Sequence, residues 1–241
     1  MIYNWLKNSL SDFLSKQCLL CLSPTINEYL LCSDCESELP KNTSHCVICA
    51  VPFSALQMTE NSLVCGKCQK APPHYTTSLI PHIYASPLKQ LISQLKFQGN
   101  LTVAPLLAEN FIHSIKHRKN NLPECIIPVP LHPQRLRERG FNQALELARI
   151  IARQLDIPLD YSLCQRNKST PFQSGLSAKQ RKLNLKNAFV VTKPQSYKHV
   201  AIFDDVVTTG TTVNELAKQL KKSGVETIEV WAIARTANKD S

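Results

Sequence analysis

No stretch of this 241-residue chain approaches the about 20 consecutive apolar residues that a membrane-crossing helix needs, which sets aside a helical membrane protein. The uninterrupted apolar core of an export signal is also missing. At the N-terminus Ile2, Trp5, Leu6, Leu10, Phe13 and Leu14 recur at helical spacing but are broken by Lys7, Asp12 and Lys16, the pattern of an amphipathic helix. That helix is expected to pack on the neighbouring domain, weak association with a membrane surface being its other use. A cytoplasmic location with reduced thiols is expected accordingly. Aromatic residues are scarce at 7%, so stacking on nucleic-acid bases would be confined to positions such as Phe141, Phe172 or Tyr197, each of which can equally serve a core. There is no repeat beyond paired cysteines and no low-complexity tract. With 43% hydrophobic and 19% charged residues the chain can still bury a core, which excludes a disordered or fibrous protein.

Acidic residues are absent from residues 161–203, where Arg166, Lys168, Lys179, Arg181, Lys182, Lys186, Lys193 and Lys198 stand unopposed. The asymmetry is general: residues 1–75 carry a net charge of −1, while the whole chain carries +10. The excess positive charge therefore belongs to the second part. Such a surface attracts phosphate, on a small ligand or on nucleic acid, and a solvated basic face is the plain alternative.

Eight of the ten cysteines form four Cys-x-x-Cys pairs: Cys18 and Cys21, Cys32 and Cys35, Cys46 and Cys49, Cys65 and Cys68. A thiolate pair two residues apart on a tight turn offers both sulfurs to one tetrahedral ion, and two pairs complete a four-thiolate zinc site. Taken in order the pairs make two sites; a single site or an interleaved pairing stays open, and disulfides are the competing chemistry. Four protein thiolates leave no open position for water, so the zinc is structural and folds a module too small for a core of its own. Cys125 and Cys164 read as buried, inert thiols. The expected division is residues 1–73, an amphipathic helix and cysteine module, followed by residues 74–241.

In the second part, residues 77–84 read as a strand or hairpin arm, and 87–97 and 101–118 as helices. Then strands at 125–129, near 161–165, at 199–203 and at 227–234 alternate with helices at 142–155 and 213–222, the signature of an α/β fold with a parallel sheet. The segment from Val200 to Thr212 runs from a buried strand through a loop into a helix start, where unpartnered N–H groups and the helix dipole favour an anion. Gly210 permits tight closure, and the hydroxyls of Thr208, Thr209, Thr211 and Thr212 add donors. Thr212 with Glu215 has capping-box spacing. No lysine stands in the loop and the Gly-x-x-x-x-Gly-Lys spacing is missing, which disfavours a nucleoside-triphosphate loop. Asp204 and Asp205 would repel a phosphate unless they meet something positive or hydroxylic, and a sugar diol or a bridging magnesium ion supplies it. The combination suits a ribose 5′-phosphate; an ordinary strand-to-helix turn is the bland reading.

A second loop lies upstream in Ile127-Pro-Val-Pro-Leu-His-Pro-Gln-Arg-Leu-Arg-Glu-Arg-Gly-Phe-Asn-Gln143. Arg135, Arg137 and Arg139 crowd it with guanidinium forks suited to phosphate, although surface ion pairs, for instance with Glu138, would also use them. Loops at the carboxyl ends of neighbouring parallel strands meet in one crevice, so this loop is expected to face the threonine loop.

The segment 200–212 resembles the phosphoribosyl pyrophosphate (PRPP) signature of type I phosphoribosyltransferases. That resemblance implies that Asp204 and Asp205, the acid pair at which catalysis would occur, contact ribose hydroxyls while the loop from Val206 through Thr208, Thr209, Gly210, Thr211 and Thr212 holds the 5′-phosphate. The whole chain resembles the ComF family of competence proteins in the cysteine ribbon, Leu95-Lys-Phe-Gln-Gly99, residues 128–143, residues 166–181 with Gln173 and Leu176, and the PRPP signature. The family implies a parallel-sheet phosphoribosyltransferase-like domain after a double zinc ribbon, a cytoplasmic role in natural transformation, and handling of incoming single-stranded DNA. It further implies pyrophosphate at the loop carrying Arg135 and Arg139, a mobile cover over the site formed by residues 166–181 with Arg166 also on the PRPP, magnesium with the PRPP, and a DNA-uptake helicase or recombination proteins as partners. An active transferase of nucleotide metabolism is the alternative, weakened because no segment identifies an acceptor. A purely structural zinc adaptor would leave the loop chemistry without a use.

Overall fold

The computed structural model describes residues 16–26, 30–53, 63–116, 118, 121–167 and 187–237. The expected N-terminal helix and all but the first two residues of the expected cover at 166–181, with Phe172, Gln173 and Leu176, lie outside them. Among the described residues no helix is long and apolar enough to cross a membrane.

The cysteine pairs build the same small unit twice. In each, the first pair sits on a turn closed by backbone bonds, Leu22 N–H to Cys18 O and Ala50 N–H to Cys46 O. Each turn ends on a residue in the left-handed region, Leu22 (φ 63°) and Ala50 (φ 53°). The second pair opens a short helix, α1 (Ser33–Ser37) after Cys32 and α2 (Gly66–Lys70) after Cys65, so that Cys35 and Cys68 return to the same side one turn later.

The remainder is an α/β sandwich whose sheet is wholly parallel. Strands β1 (Thr77–Leu79) and β2 (His82–Ile83) precede helices α3 (Leu88–Gln98) and α4 (Val103–Ile115). Strand β3 (Cys125–Pro128) leads into helices α5 (Pro133–Arg139) and α6 (Gln143–Leu155), and a small ladder joins β4 (Cys164–Arg166) to β5 (Phe189–Val191). Strand β6 (His199–Val207), helix α7 (Thr211–Lys222) and strand β7 (Thr227–Arg235) complete it. The order across the sheet is β1, β7, β6, β3, with β2 also on β7.

Alternate residues of the central strands face opposite layers, as a period of two requires. Ala201 and Phe203 of β6 look towards α3, α4 and α6, where Phe111 meets Phe203 edge-on at 5.6 Å and Trp231 at 5.5 Å. Val200 and Ile202 look towards α7, whose Val213, Leu216, Ala217 and Leu220 form its inner stripe. The two cysteine units divide between these layers. Cys18, Leu31 and Leu39 join the first core, and Cys46, Cys49 and Cys68 join the second.

Four local expectations change. Residues 77–84 form one interrupted edge strand, not a hairpin arm: both pieces run parallel to β7 in a single register, Thr77 opposite Glu229 and His82 opposite Ala234. The break falls at Pro81, which has no N–H to donate, and Asn42 of the second cysteine unit binds the carbonyls of Ile80 and Pro81 there. The segment near 161–165 does not join the parallel sheet, because Leu159 already bridges the outer edge of β3 at Ile126; residues 164–166 pair antiparallel with β5 instead. Strand β6 runs on to Val207, so Asp204 and Asp205 belong to the strand. The capping box does not form: Gly210 (φ 74°) is the N-cap of α7, and the Glu215 carboxylate accepts from Asn187 N–H at 3.0 Å.

Candidate functional site

The two cysteine clusters are those expected from taking the pairs in order: Cys18, Cys21, Cys32 and Cys35 in one, Cys46, Cys49, Cys65 and Cys68 in the other. All ten cysteines are free thiols. Sulfurs of adjacent pairs stand 3.6 Å apart (Cys21 to Cys32) and 3.7 Å apart (Cys49 to Cys65), close to the ~3.8 Å edge of a zinc tetrathiolate and far beyond a disulfide bond. Without a cation the thiols of a cluster compete for ionisation. The Cys49 thiol beside it holds Cys46 down to about 4, against the cost of burial, while Cys46 and burial hold Cys49 up. A divalent ion would let all four ionise, and the donor set fits structural zinc. Cys125 and Cys164 are buried, and desolvation raises them to about 11 and about 12, which makes them inert.

The threonine loop and the arginine loop leave the carboxyl ends of neighbouring strands, β6 and β3, whose last mutual pair is Phe203 with Pro128. They leave the same end of the sheet, but each lines its own cavity, Pro130, His132, Asn142 and Arg166 in one and Thr209, Gly210 and Thr211 in another. Asp205 is buried and Asp204 partly so. Each carboxylate accepts the next backbone N–H, Asp205 N to Asp204 Oδ1 at 2.9 Å and Val206 N to Asp205 Oδ1 at 2.8 Å. Asp205 Oδ2 lies 2.7 Å from Lys96 Nζ, a charge contact without hydrogen-bond alignment. Burial, then the neighbouring Asp205, raises the Asp204 carboxyl well above its ordinary value.

The threonines complete the turn. Thr209 and Thr211 hydroxyls are 2.8 Å apart, and both lie with Thr212 and Gly210 at partial exposure around the start of α7, while Thr208 is exposed. Val206 is buried and its N–H is spent on Asp205, so of the named positions it offers a ligand least.

The expected arginine loop contains helix α5, one consequence of which is selective. Arg135 and Arg139, one turn apart, are partly buried on one side, and Arg137 is exposed. Arg139 lies over the Phe97 ring at 5.6 Å. Burial first, then the charge of Arg139, lowers Arg135. Arg166, at the end of β4, is lowered first by burial and then by the charge of Arg135, with Asp204 opposing, and its guanidinium lies over the Phe189 ring at 5.7 Å. Asn142 pins the far end of the loop: its Nδ2 donates to Val129 O at 3.0 Å, and its Oδ1 accepts from Ala144 N–H as the cap of α6.

Three residues at the site carried no assigned role in the sequence. Lys96 lay in the quoted stretch Leu95–Gly99, where only resemblance marked it; Tyr75 and Arg235 had no local signal because their partners are remote. Phe141 and Tyr197 are both partly buried and pack against the two cores.

Comparison with known proteins gives two family matches along the chain, a double zinc ribbon domain over residues 10–69 and a phosphoribosyl transferase domain over residues 142–240. The chain is 39% identical to competence protein F of Haemophilus influenzae, over 93% of this chain and 99% of that one. It is 37% identical to the DNA utilization protein YhgH of Shigella flexneri, over 91% and 96%. Among solved structures a purine phosphoribosyltransferase from Pyrococcus horikoshii covers 54% of this chain and 79% of its own at 19% identity, superposing loosely with a TM-score of 0.30.

Proposed function

Since the chain belongs to the ComF family of competence proteins, we propose that it is a cytoplasmic protein of natural transformation that holds PRPP or a related phosphosugar and handles single-stranded DNA. The phosphosugar reading assigns the 5′-phosphate to Thr208, Thr209, Gly210, Thr211 and Thr212, where α7 begins, and the ribose hydroxyls to Asp204 and Asp205. Arg135, Arg139 and Arg166 would face the pyrophosphate. Two hard carboxylates suit magnesium, which when bound would neutralise pyrophosphate beside them. The observation that carries the reading is the adjacent pair Asp204 and Asp205, partly buried and buried, near the end of β6 and shortly before the threonine turn that opens α7, because two carboxylates beside a helix start suit a sugar diol joined to a phosphate.

The DNA reading draws on the names of the relatives and on the basic second part. Around β4 it has Arg149 lying over the Tyr161 ring at 5.9 Å, and Tyr161 is 60% exposed, free to stack on a base. A DNA-uptake helicase or recombination proteins would be the partners in such a role.

Titration calorimetry of PRPP with magnesium tests the pocket. Asp204→Ala with Asp205→Ala is expected to abolish binding while the domain stays folded, and unchanged affinity would refute the site. Single-strand affinity is expected to fall steeply with salt, and a flat response counts against the DNA role. Product analysis with PRPP and a panel of bases decides whether pyrophosphate is ever released.

A further inference from the structure

We infer that Arg235 is a positioning residue that ties the threonine loop to the second cysteine cluster, so that the metal state of that cluster sets the affinity of the loop for its phosphosugar. The inference rests on the phosphosugar reading of residues 204–212 and extends it to regulation of that site.

Arg235 ends β7 and is 3% exposed. Its Nε donates to the carbonyl of Cys49, a member of the second cluster, at 3.0 Å. Its Nη1 donates to Val207 O at 3.2 Å, to Thr208 O and to Thr236 O. A guanidinium has five donors in a rigid fork and no acceptor, so binding carbonyls from three chain segments fixes those segments relative to one another. No ion pair to Arg235 occurs among the described residues, so its charge stays uncompensated by a carboxylate close to where an anion would sit.

Other contacts follow the same route. Tyr75 is buried, and its hydroxyl would lie 3.6 Å from a Cβ placed on Gly210. His74 N–H donates to Asn214 Oδ1 of α7 at 2.7 Å, and Lys67, between Cys65 and Cys68, reaches Thr209 O at 3.5 Å. Between ribbon and loop lies a cavity of about 450 Å³ whose walls include Lys67, Tyr75, Thr209 and Lys218. The first cluster is placed differently: Cys18 packs in the opposite layer with Leu88 and Leu91. When the second cluster loses its ion, residues 46–51 lose their anchor, the Cys49 carbonyl leaves the fork, and the carbonyls of residues 207 and 208 are no longer held. The N–H groups that meet the phosphate are spaced by that backbone.

The experiment uses the full chain and three variants, with zinc content, PRPP affinity in magnesium, and amide hydrogen exchange over residues 208–212 as readouts. Cys65→Ser is expected to lose one zinc, weaken PRPP by about tenfold or more, and speed exchange at 208–212. Cys21→Ser, in the first cluster, is expected to lose one zinc and leave the other two readouts unchanged. Arg235→Lys is expected to keep both zinc ions yet reproduce the loss of affinity and of protection. Equal losses in Cys21→Ser and Cys65→Ser would overturn the coupling, as would an Arg235→Lys chain that matches wild type. Should Cys65→Ser not fold, Arg235→Lys decides alone. If wild type binds no PRPP, the phosphosugar reading falls, while the exchange and zinc readouts still decide whether cluster and loop are linked.

Discussion

Lys96 is the cation on which the buried acid pair depends, and replacing it with methionine isolates that dependence because the apolar stem and its packing are kept. At 2.7 Å and an effective dielectric near 20, the Lys96–Asp205 attraction is ~6 kcal/mol before the cost of desolvating both groups. The Asp205 side chain is 4% exposed and that of Lys96 18%, so most of the desolvation is already committed on the aspartate. Removing the lysine strands that carboxylate next to Asp204, and breaking one side of a buried pair costs about 3–5 kcal/mol. In a domain of this size each 1 kcal/mol moves Tm by about 2–4 °C, so Lys96→Met should melt roughly 10 °C below wild type. The double variant Lys96→Met with Asp205→Asn should recover most of the loss, because no unpaired charge is left behind. The measurement is a thermal and urea unfolding cycle on the four proteins in zinc-containing buffer. A single variant within about 0.5 kcal/mol of wild type, or a double variant as unstable as the sum of the singles, would show that the acid pair does not rely on Lys96.

Asp204→Asn should act in the opposite sense. It removes a carboxyl that burial and Asp205 hold above its ordinary value, so the domain should gain about 1 kcal/mol while PRPP affinity falls, seen together by melting and calorimetry. At the other end of the sheet, Glu229 is buried and accepts from Arg118 at 2.7 and 2.9 Å and from Trp231 at 2.7 Å. Burial would raise its pKa, but the Arg118 and Trp231 bonds outweigh it and hold it below the ordinary 4.5. Its stabilisation should be complete above pH 4.5 and vanish as pH falls through the lowered folded value, and Glu229→Gln should flatten that part of the stability–pH curve. His82 is buried and desolvation lowers it to about 4, so stability should be full above pH 6.5 and decline between pH 6.5 and about 4 as the unfolded chain takes up the proton. His82→Gln melted across the same range should lack that decline.

The parts of this protein legible without coordinates are those whose cause is local. Cys-x-x-Cys spacing is enough to bring two sulfurs to one ion, and two such pairs in succession made the clusters at residues 18–35 and 46–68 readable in advance. The run from apolar strand to hydroxyl-rich turn to amphipathic helix made the turn before α7 readable for the same reason, whereas the arginine-rich stretch was readable as basic but not as helix α5. Longer reach defeated the reading at particular places. Residues 161–165 look like a strand in isolation, but only the sheet shows that Leu159 already occupies the edge of β3. Glu215 has the spacing of a cap, yet Asn187 takes its carboxylate from 28 positions away.

Composition and periodicity thus determined two cysteine clusters, an α/β sheet and a hydroxyl-rich turn from strand to helix, because each depends on neighbours a few residues apart. The tertiary structure alone decided that Lys96 stands on Asp205, that the clusters serve opposite layers of the sheet, and that Arg235 reaches from β7 to Cys49 across 186 positions. Such contacts join segments whose separation along the chain carries no period and no propensity, and only the packed sheet makes them neighbours.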